Sequence, residues 1–442
     1  MMKIKTPFWV ILGILGIAII GLLWTRSVIY NRLIYFCVLM ILISWLWTSL
    51  SIVGISIKRY ARGFRQEVGE VFEEKYEVNN ELKIFRLWLE IKDLSMMQSS
   101  GSSRVISSLG PKSMRTYSSY TLLYYRGEYE LSPTKILSGD PFGLFSTYKI
   151  VESKQNLLVL PYLLELNTFP VASGQLAGGV AVKRKTPQIE PPNVVSVREH
   201  AHGDPLSRIH WPSTAKRDML MVKEFEQDPQ VQVWIILDAY KNAHQEPFHT
   251  DEKQLNQIPL WWLKKSVFEL PKSTIEYGVT IAGSVAKYYL REGQTVGLIT
   301  SGKKQIVMSP EKGERQLNKI LEALALTSAD GKLPLHGLLE LQTKQIAKGS
   351  TVVVISPANV DTIKKSISVL FKRGIKPIYI VFEPGSFGGF AQEEEINASF
   401  RDWSVPYSLI KYGDDISEKL EKGFIGVSYL PLTSRWKTIH KN

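Results

Sequence analysis

The run His200-Ala201-His202-Gly203-Asp204-Pro205 sets two imidazoles and a carboxylate at alternate positions. Such a group can grip zinc and activate a water for hydrolysis, because imidazole nitrogen and carboxylate oxygen are both good zinc ligands. The place where a fourth ligand would follow is Pro205, so further imidazoles would have to come from His244, His249, His336 or His440. A second feature surrounds the first. From Arg198 to Glu226 unlike charges crowd together, with His210 and Trp211 at the centre of the segment. One reading is a linker docked on a sheet, in which Asp204 pairs with Arg208 or Arg198 and Trp211 fills a core gap. The other is a recognition surface made by Arg198, Asp204, Arg208, His210, Trp211 and Lys216, because Trp and Arg dominate the energetics of protein interfaces. There is no Gly-x-x-x-x-Gly-Lys-Ser/Thr phosphate loop, nucleophile elbow or Cys-His arrangement, and the lone Cys37 excludes a disulfide framework or thiolate zinc cluster. No catalytic residue and no cofactor is expected.

Periodicity identifies the elements that must position these residues. After about Gln230, short apolar runs at Val231 to Leu237, Thr295 to Thr300, Thr351 to Ile355 and Ile378 to Phe382 read as buried parallel strands. Between them Ser273 and Glu276 form a capping-box signature ahead of Ile275, Val279, Ala282, Ala286 and Tyr289, with Gly293 as the stop. Leu317, Ile320, Leu321 and Leu324 make a second helical stripe, and Ile363, Ile367, Leu370 and Phe371, ended by Gly374, a third. Strand and helix in alternation predict a doubly wound α/β sheet. Upstream, from Ala61 to about Pro161, the period is two: Leu87, Leu89 and Ile91 alternate with Trp88 and Glu90, as in a β-sandwich. Ser95 to Tyr120 holds ten serines in 26 residues and reads as a long loop or a sheet edge. Tyr120 to Tyr125 and Tyr129 to Leu131 read as a hairpin around Arg126-Gly127-Glu128.

The 442 residues exceed a single core and carry a formal charge of +12, but eight basic residues and no acid lie between Met1 and Gln66. The basicity therefore belongs to the N-terminus and argues against nucleic acid as partner. Two apolar runs there, Thr6 to Thr25 and Leu33 to Ile57, are each long enough to span a bilayer. Lys3, Lys5, Lys58, Arg59, Arg62 and Arg65 flank the pair, against Arg26 and Arg32 in the turn, so the positive-inside rule places both ends in the cytoplasm. A multi-pass protein of the cytoplasmic membrane is expected. The insertion Lys241 to Pro271, with Trp261, Trp262, Leu263, Val267 and Phe268, reads as a satellite core under a lid or an amphipathic segment on the bilayer.

Arg126-Gly127-x-Tyr129, Asp140-Pro141-Phe142-Gly143-Leu144-Phe145, and Arg198-x(4)-Gly203-Asp204-x(3)-Arg208-Ile209-His210-Trp211 with Ala215 and Lys216 resemble the bacterial domain-of-unknown-function family fifty-eight. The resemblance covers nearly the whole chain. It implies a transmembrane hairpin over residues 1–57, a β-sandwich-like domain over 58–161, a motif segment over 162–229 and a von Willebrand factor A-like domain over 230–442. The fold class is thus α+β multidomain with an α/β doubly wound C-terminal domain. The family also implies a MoxR-type AAA+ ATPase as partner, an energy-using protein that would complement a chain without a nucleotide site. In an A-type domain an Asp-x-Ser-x-Ser loop after the first strand holds Mg²⁺; here it is Asp238-Ala239-Tyr240-Lys241-Asn242, and the later strand ends in Ser356-Pro357 where related domains often carry an acid. Both ends of that site are eroded, so Asp238 is expected to orient a loop, with Mg²⁺-dependent sensing or adhesion as the alternative. The His200 to Pro205 loop similarly mimics the His-x-His-x-Asp-His loop of metallo-β-lactamase-like hydrolases, which leaves a zinc hydrolase as the second alternative.

Overall fold

The computed structural model describes residues 2–95, 103–131, 133–152, 155–170, 194–201, 209–225, 232–245, 269–375 and 377–426. They fall into two compact units, one built mainly from the chain up to Tyr162 and the other mainly from Leu163 onward.

The first unit opens with strand β1 (Met2–Ile4) and two helices, α1 (Thr6–Thr25) and α2 (Val28–Leu50), both long and apolar enough to cross a bilayer. Arg26 ends α1 in the left-handed region at φ 46°, and Ser27 caps α2. The Tyr30 ring then packs on Gly21, where a Cβ would lie 2.5 Å from it, so only glycine admits this approach. The apolar run that composition carries to Ile57 divides. Its helix stops at Leu50, Gly54 takes φ 71°, and Ile55 starts strand β2 (Ile55–Ala61).

Nine further strands follow: β3 (Arg65–Glu67), β4 (Val71–Asn80), β5 (Arg86–Asp93), β6 (Arg104–Leu109), β7 (Met114–Leu122), β8 (Gly127–Glu130), β9 (Thr134–Gly139), β10 (Phe145–Val151) and β11 (Asn156–Leu160). They form sheets of order β1-β10-β9-β5-β6, β2-β4-β7 and β3-β11-β8. Ile55, Tyr76 and Val78 of one sheet bury against Leu89, Ile91, Ile106 and Ile136 of another, which gives the packed double layer of a sandwich. Of the two readings of the serine-rich segment, the sheet edge holds where it is described: β6 and β7 are edge strands, and Ser119 and Thr121 point inward beside Tyr117 as small buried polar residues. One expectation changes. Strands β7 and β8 lie in different sheets, so Arg126-Gly127-Glu128 joins no hairpin.

Both ends of the helical pair are tied to this sandwich. Strand β1 pairs antiparallel with β10, the Lys5 amide donates to the Leu144 carbonyl at 3.0 Å, and Arg86 donates to the carbonyls of Leu50 and Val53, the latter at 2.6 Å. The Asp140 motif is a turn built by one carboxylate, which accepts the amides of Phe142, Leu144 and Phe145 at 2.9, 3.1 and 2.7 Å. Deeper in, Arg59 bridges Glu74 at 2.6 Å and Asp93 at 3.0 Å, and donates to the Leu131 carbonyl at 2.8 Å, with all three charged side chains buried.

The second unit begins with the antiparallel pair β12 (Val194–Glu199) and β13 (Met221–Phe225), with helix α3 (Trp211–Arg217) between them in sequence. Strand β14 (Gln232–Leu237) then leads to α4 (Thr274–Arg291), β15 (Thr295–Ser301), β16 (Gln305–Glu311), α5 (Glu314–Ala325), α6 (Leu335–Gln342), β17 (Thr351–Ser356), α7 (Val360–Lys372), β18 (Pro377–Phe382), α8 (Glu393–Trp403), β19 (Tyr407–Ile410) and α9 (Ile416–Lys422). The six-stranded sheet has order β16-β15-β14-β17-β18-β19, parallel except for β16 at one edge. Four of its parallel strands are the four apolar runs read from the sequence. Such strands carry apolar residues on both faces because helices cover both. The capping-box signature at Ser273 is not realised: no side-chain cap bond forms, and the next residue, Thr274, takes the contacts that matter. Phe371, counted in the third stripe, lies exposed on α7.

Candidate functional site

The strand order reverses at β14. Its neighbours β15 and β17 are reached by connections running in opposite directions, and the crevice at the carboxyl ends of β14 and β17 is where such sheets place ligands. Asp238 stands at that point, 1% exposed. Its Oδ2 accepts the Ser356 hydroxyl at 2.7 Å and its Oδ1 the Tyr240 amide at 3.0 Å. Ser356 Oγ in turn accepts the Ala358 amide at 3.0 Å. Burial pushes the Asp238 carboxyl up to about 6, against the opposing pull of these two donors. The carboxylate thus joins the ends of two neighbouring strands.

Surrounding contacts fix the loop after β14. His244 Nε2 lies 2.8 Å from the Asp238 carbonyl and Nδ1 2.9 Å from the Thr274 hydroxyl, which ties the loop to the start of α4. The Lys241 amide donates to Gly331 at 2.9 Å, and the Gly331 amide donates back to Ala239 at 2.9 Å. A Cβ on Gly331 would lie 2.0 Å from the Ser301 carbonyl oxygen and 2.6 Å from that of Ala239, so the backbone closes there only with glycine. Tyr240 and Asn242, in the places of the two metal-loop serines, bond to each other, Asn242 Nδ2 to Tyr240 Oη at 3.1 Å. Among the described residues no group of three or more His, Cys, Asp or Glu is placed to hold a metal ion. His202 and Asp204 lie outside the described residues, as does the insertion from residue 246 to 268 with its Trp261 and Trp262.

The second candidate is the β12, α3 and β13 module. Ile209, Met221 and Val222 are buried within it, and Ile209 bridges Val222. His210 caps α3: its Nδ1 accepts the Ser213 amide at 3.3 Å and faces the Ser213 hydroxyl at 2.7 Å. His210 is therefore a structural cap. Trp211 is 65% exposed, so it fills no core gap, and Met219 and Leu220 beyond the helix are exposed with it. Lys216 and Arg217 sit exposed in the last turn, where positive charge complements the helix dipole. Arg198 is exposed on β12 and donates to the Glu199 carbonyl at 3.0 Å. Asp204 and Arg208 lie outside the described residues.

A protein-family model described as "Protein of unknown function DUF58" matches residues 196–255. That stretch contains both candidate features, from Arg198 and Trp211 to Asp238. The uncharacterized protein YeaD of Bacillus subtilis (strain 168) is 22% identical over 231 residues, 52% of this chain and 50% of that protein. The chain thus spans about half the length of the curated relative it matches. Among solved structures, proximal thread matrix protein 1 from the mussel byssus is similar at 12% identity and TM-score 0.27, over 45% of this chain and 48% of that one. The CARDB domain of a Pyrococcus furiosus protein is similar at 12% identity and TM-score 0.17, over 24% of this chain and 94% of that one. Likeness at this level identifies no shared fold.

Sequence reading missed three features of the sites. Ser356 appears in sequence only as a missing acid, yet its hydroxyl is the group that holds Asp238. His244 reads in sequence only as a possible zinc ligand, yet it braces the loop after β14. The exposure of Met219 and Leu220 had no signal, since apolar residues next to a strand ordinarily read as core.

Proposed function

We propose that this chain is a membrane-anchored, non-enzymatic interaction protein with a von Willebrand factor A-like domain facing the cytoplasm, and that it engages a MoxR-type AAA+ ATPase. The surface assigned to that contact is Arg198, Asp204, Arg208, His210, Trp211 and Lys216, with His210 acting through the cap it gives α3. The observation that carries the reading is Trp211, a large side chain left exposed at the start of a helix whose last turn bears Lys216 and Arg217. An indole beside basic groups is the composition of an interface anchor. The reversal of strand order at Asp238 supports the A-type assignment of the domain. Anchoring rests on α1 and α2, and the cytoplasmic placement on their basic flanks. Arg59 leaves that count, because Glu74 and Asp93 neutralise it in the interior, yet five flanking cations still oppose two in the turn.

The test is capture of the ATPase by the full chain from detergent extracts, with Trp211→Ala as the variant. Because Trp211 is exposed, its removal creates no cavity and should leave thermal stability unchanged. Undiminished capture by this variant would refute the proposed surface.

A further inference from the structure

Where α2 ends, a cleft of about 270 Å³ opens between the helix and the loop that leads into β5. Ile43, Leu46 and Trp47 line it from the helix, Phe85 from the loop and Leu87 from the start of β5. Arg86 lines it too. Arg86 as a residue is 3% exposed, and two of its guanidinium nitrogens donate to the carbonyls of Leu50 and Val53. Its Nε is buried with no hydrogen-bond partner. No carboxylate pairs with Arg86 among the described residues, unlike Arg59 in the same unit, which has two. A buried cation balanced only by carbonyl dipoles is unusual, because charge removed from water ordinarily takes a counter-charge. Burial alone pulls its pKa down.

The cleft is not sealed. Ile43, Leu46, Leu50, Phe85 and Leu87 all keep exposed apolar surface, continuous along α2 with the exposed face that the helix would turn to lipid. We propose that this cleft binds one anionic glycerophospholipid, with part of an acyl chain against Trp47 and Phe85 and the phosphate group supplying the counter-charge that Arg86 lacks. The apolar walls suit the chain, and a guanidinium is the side chain best shaped for phosphate oxygens. The inference rests on the reading of α2 as a membrane span, which would set the Leu50 end at headgroup depth. A lipid held there would join the anchor to the sandwich.

Full-length protein in lipid-free detergent, with phosphatidylglycerol or phosphatidylcholine added at equal concentration, tests this by thermal unfolding and by native mass spectrometry. Phosphatidylglycerol should raise the unfolding temperature and remain bound at one per chain, and phosphatidylcholine should do less of both. Arg86→Gln should weaken phosphatidylglycerol binding about tenfold or more, since a charge-assisted contact is lost. Leu87→Trp narrows the cleft without removing the two carbonyl bonds of Arg86. It should lose the lipid response, and it decides the matter if Arg86→Gln does not fold. Equal responses to both lipids, a response retained in the folded variants, or a second copy of the chain in place of lipid would overturn the proposal. Carbonate extraction of cell membranes separates the two readings. Release of the chain would refute anchoring, whereas a retained chain without a phosphatidylglycerol preference refutes only the lipid site.

Discussion

Replacing Asp238 by Asn should change how the second unit responds to pH, and the size of the change follows from its burial. The folded carboxyl titrates at about 6 instead of its ordinary 3.8. Between those values the folded state holds a proton that the unfolded chain has released. Stability from this group is therefore fully present below about pH 4 and is lost as pH rises through about 6. At ~1.4 kcal/mol per pKa unit, the loss is about 3 kcal/mol in wild type and nil in Asp238→Asn. The amide can still accept the Tyr240 N–H and donate to Ser356 Oγ, so its own offset of about 1 kcal/mol is independent of pH and cancels from the slope. The assay is amide exchange in β14 and β17 of the full chain across a urea series, corrected for intrinsic exchange rates, at intervals from pH 4 to pH 7. Wild type should lose about 2 kcal/mol or slightly more relative to the variant over that range, the rest of the loss falling below pH 4. Parallel curves would refute the assignment of the raised carboxyl to Asp238.

Three other outcomes follow from the same geometry. Arg59→Ala strands Glu74 and Asp93 in the interior and should cost about 3–5 kcal/mol in chemical denaturation, with partial recovery when Glu74→Gln and Asp93→Asn are added; a loss below about 1 kcal/mol would contradict the buried network. Thermal unfolding should be indifferent to Mg²⁺ or chelator, because both Asp238 oxygens are already engaged by Ser356 and Tyr240; a metal-dependent rise of several degrees would favour the Mg²⁺-sensing alternative. A C-terminal alkaline phosphatase fusion should be inactive and a cytoplasmic reporter active; the reverse would invert the orientation drawn from Lys3, Lys5 and the basic residues after α2.

The parallel strands of the α/β sheet were legible because burial on both faces leaves unbroken runs such as Thr351 to Ile355, and Gly293 and Gly374 mark helix ends through their positive φ. Elsewhere local pattern competed with tertiary context. Ile55 to Ile57 suits a span as well as a strand, and Gly54 decides for the strand by turning the backbone. Ser119 and Thr121 are buried yet polar, so an apolar period could not reveal β7. Ser273 has the spacing of a capping box, but the contacts of Thr274 with His244 and Gln245 govern that end of α4. The pairing of Arg59 with Glu74 and Asp93 crosses strands 15 and 34 residues apart in sequence, a separation that carries no local signal. Asp238 was legible as the residue at the strand end, whereas the partner that holds it, Ser356, is 118 residues away. Trp211 was legible as a candidate and not as exposed, because core and interface draw on the same side chains.

The most direct test of the interaction reading measures capture of the MoxR-type ATPase and thermal stability together, for full-length wild type and Trp211→Ala. The account predicts that capture falls by at least about tenfold, the effect expected of an interface anchor, while the unfolding temperature stays that of wild type. Wild-type capture by the variant would contradict it, as would a loss of capture that appears only with a loss of folding.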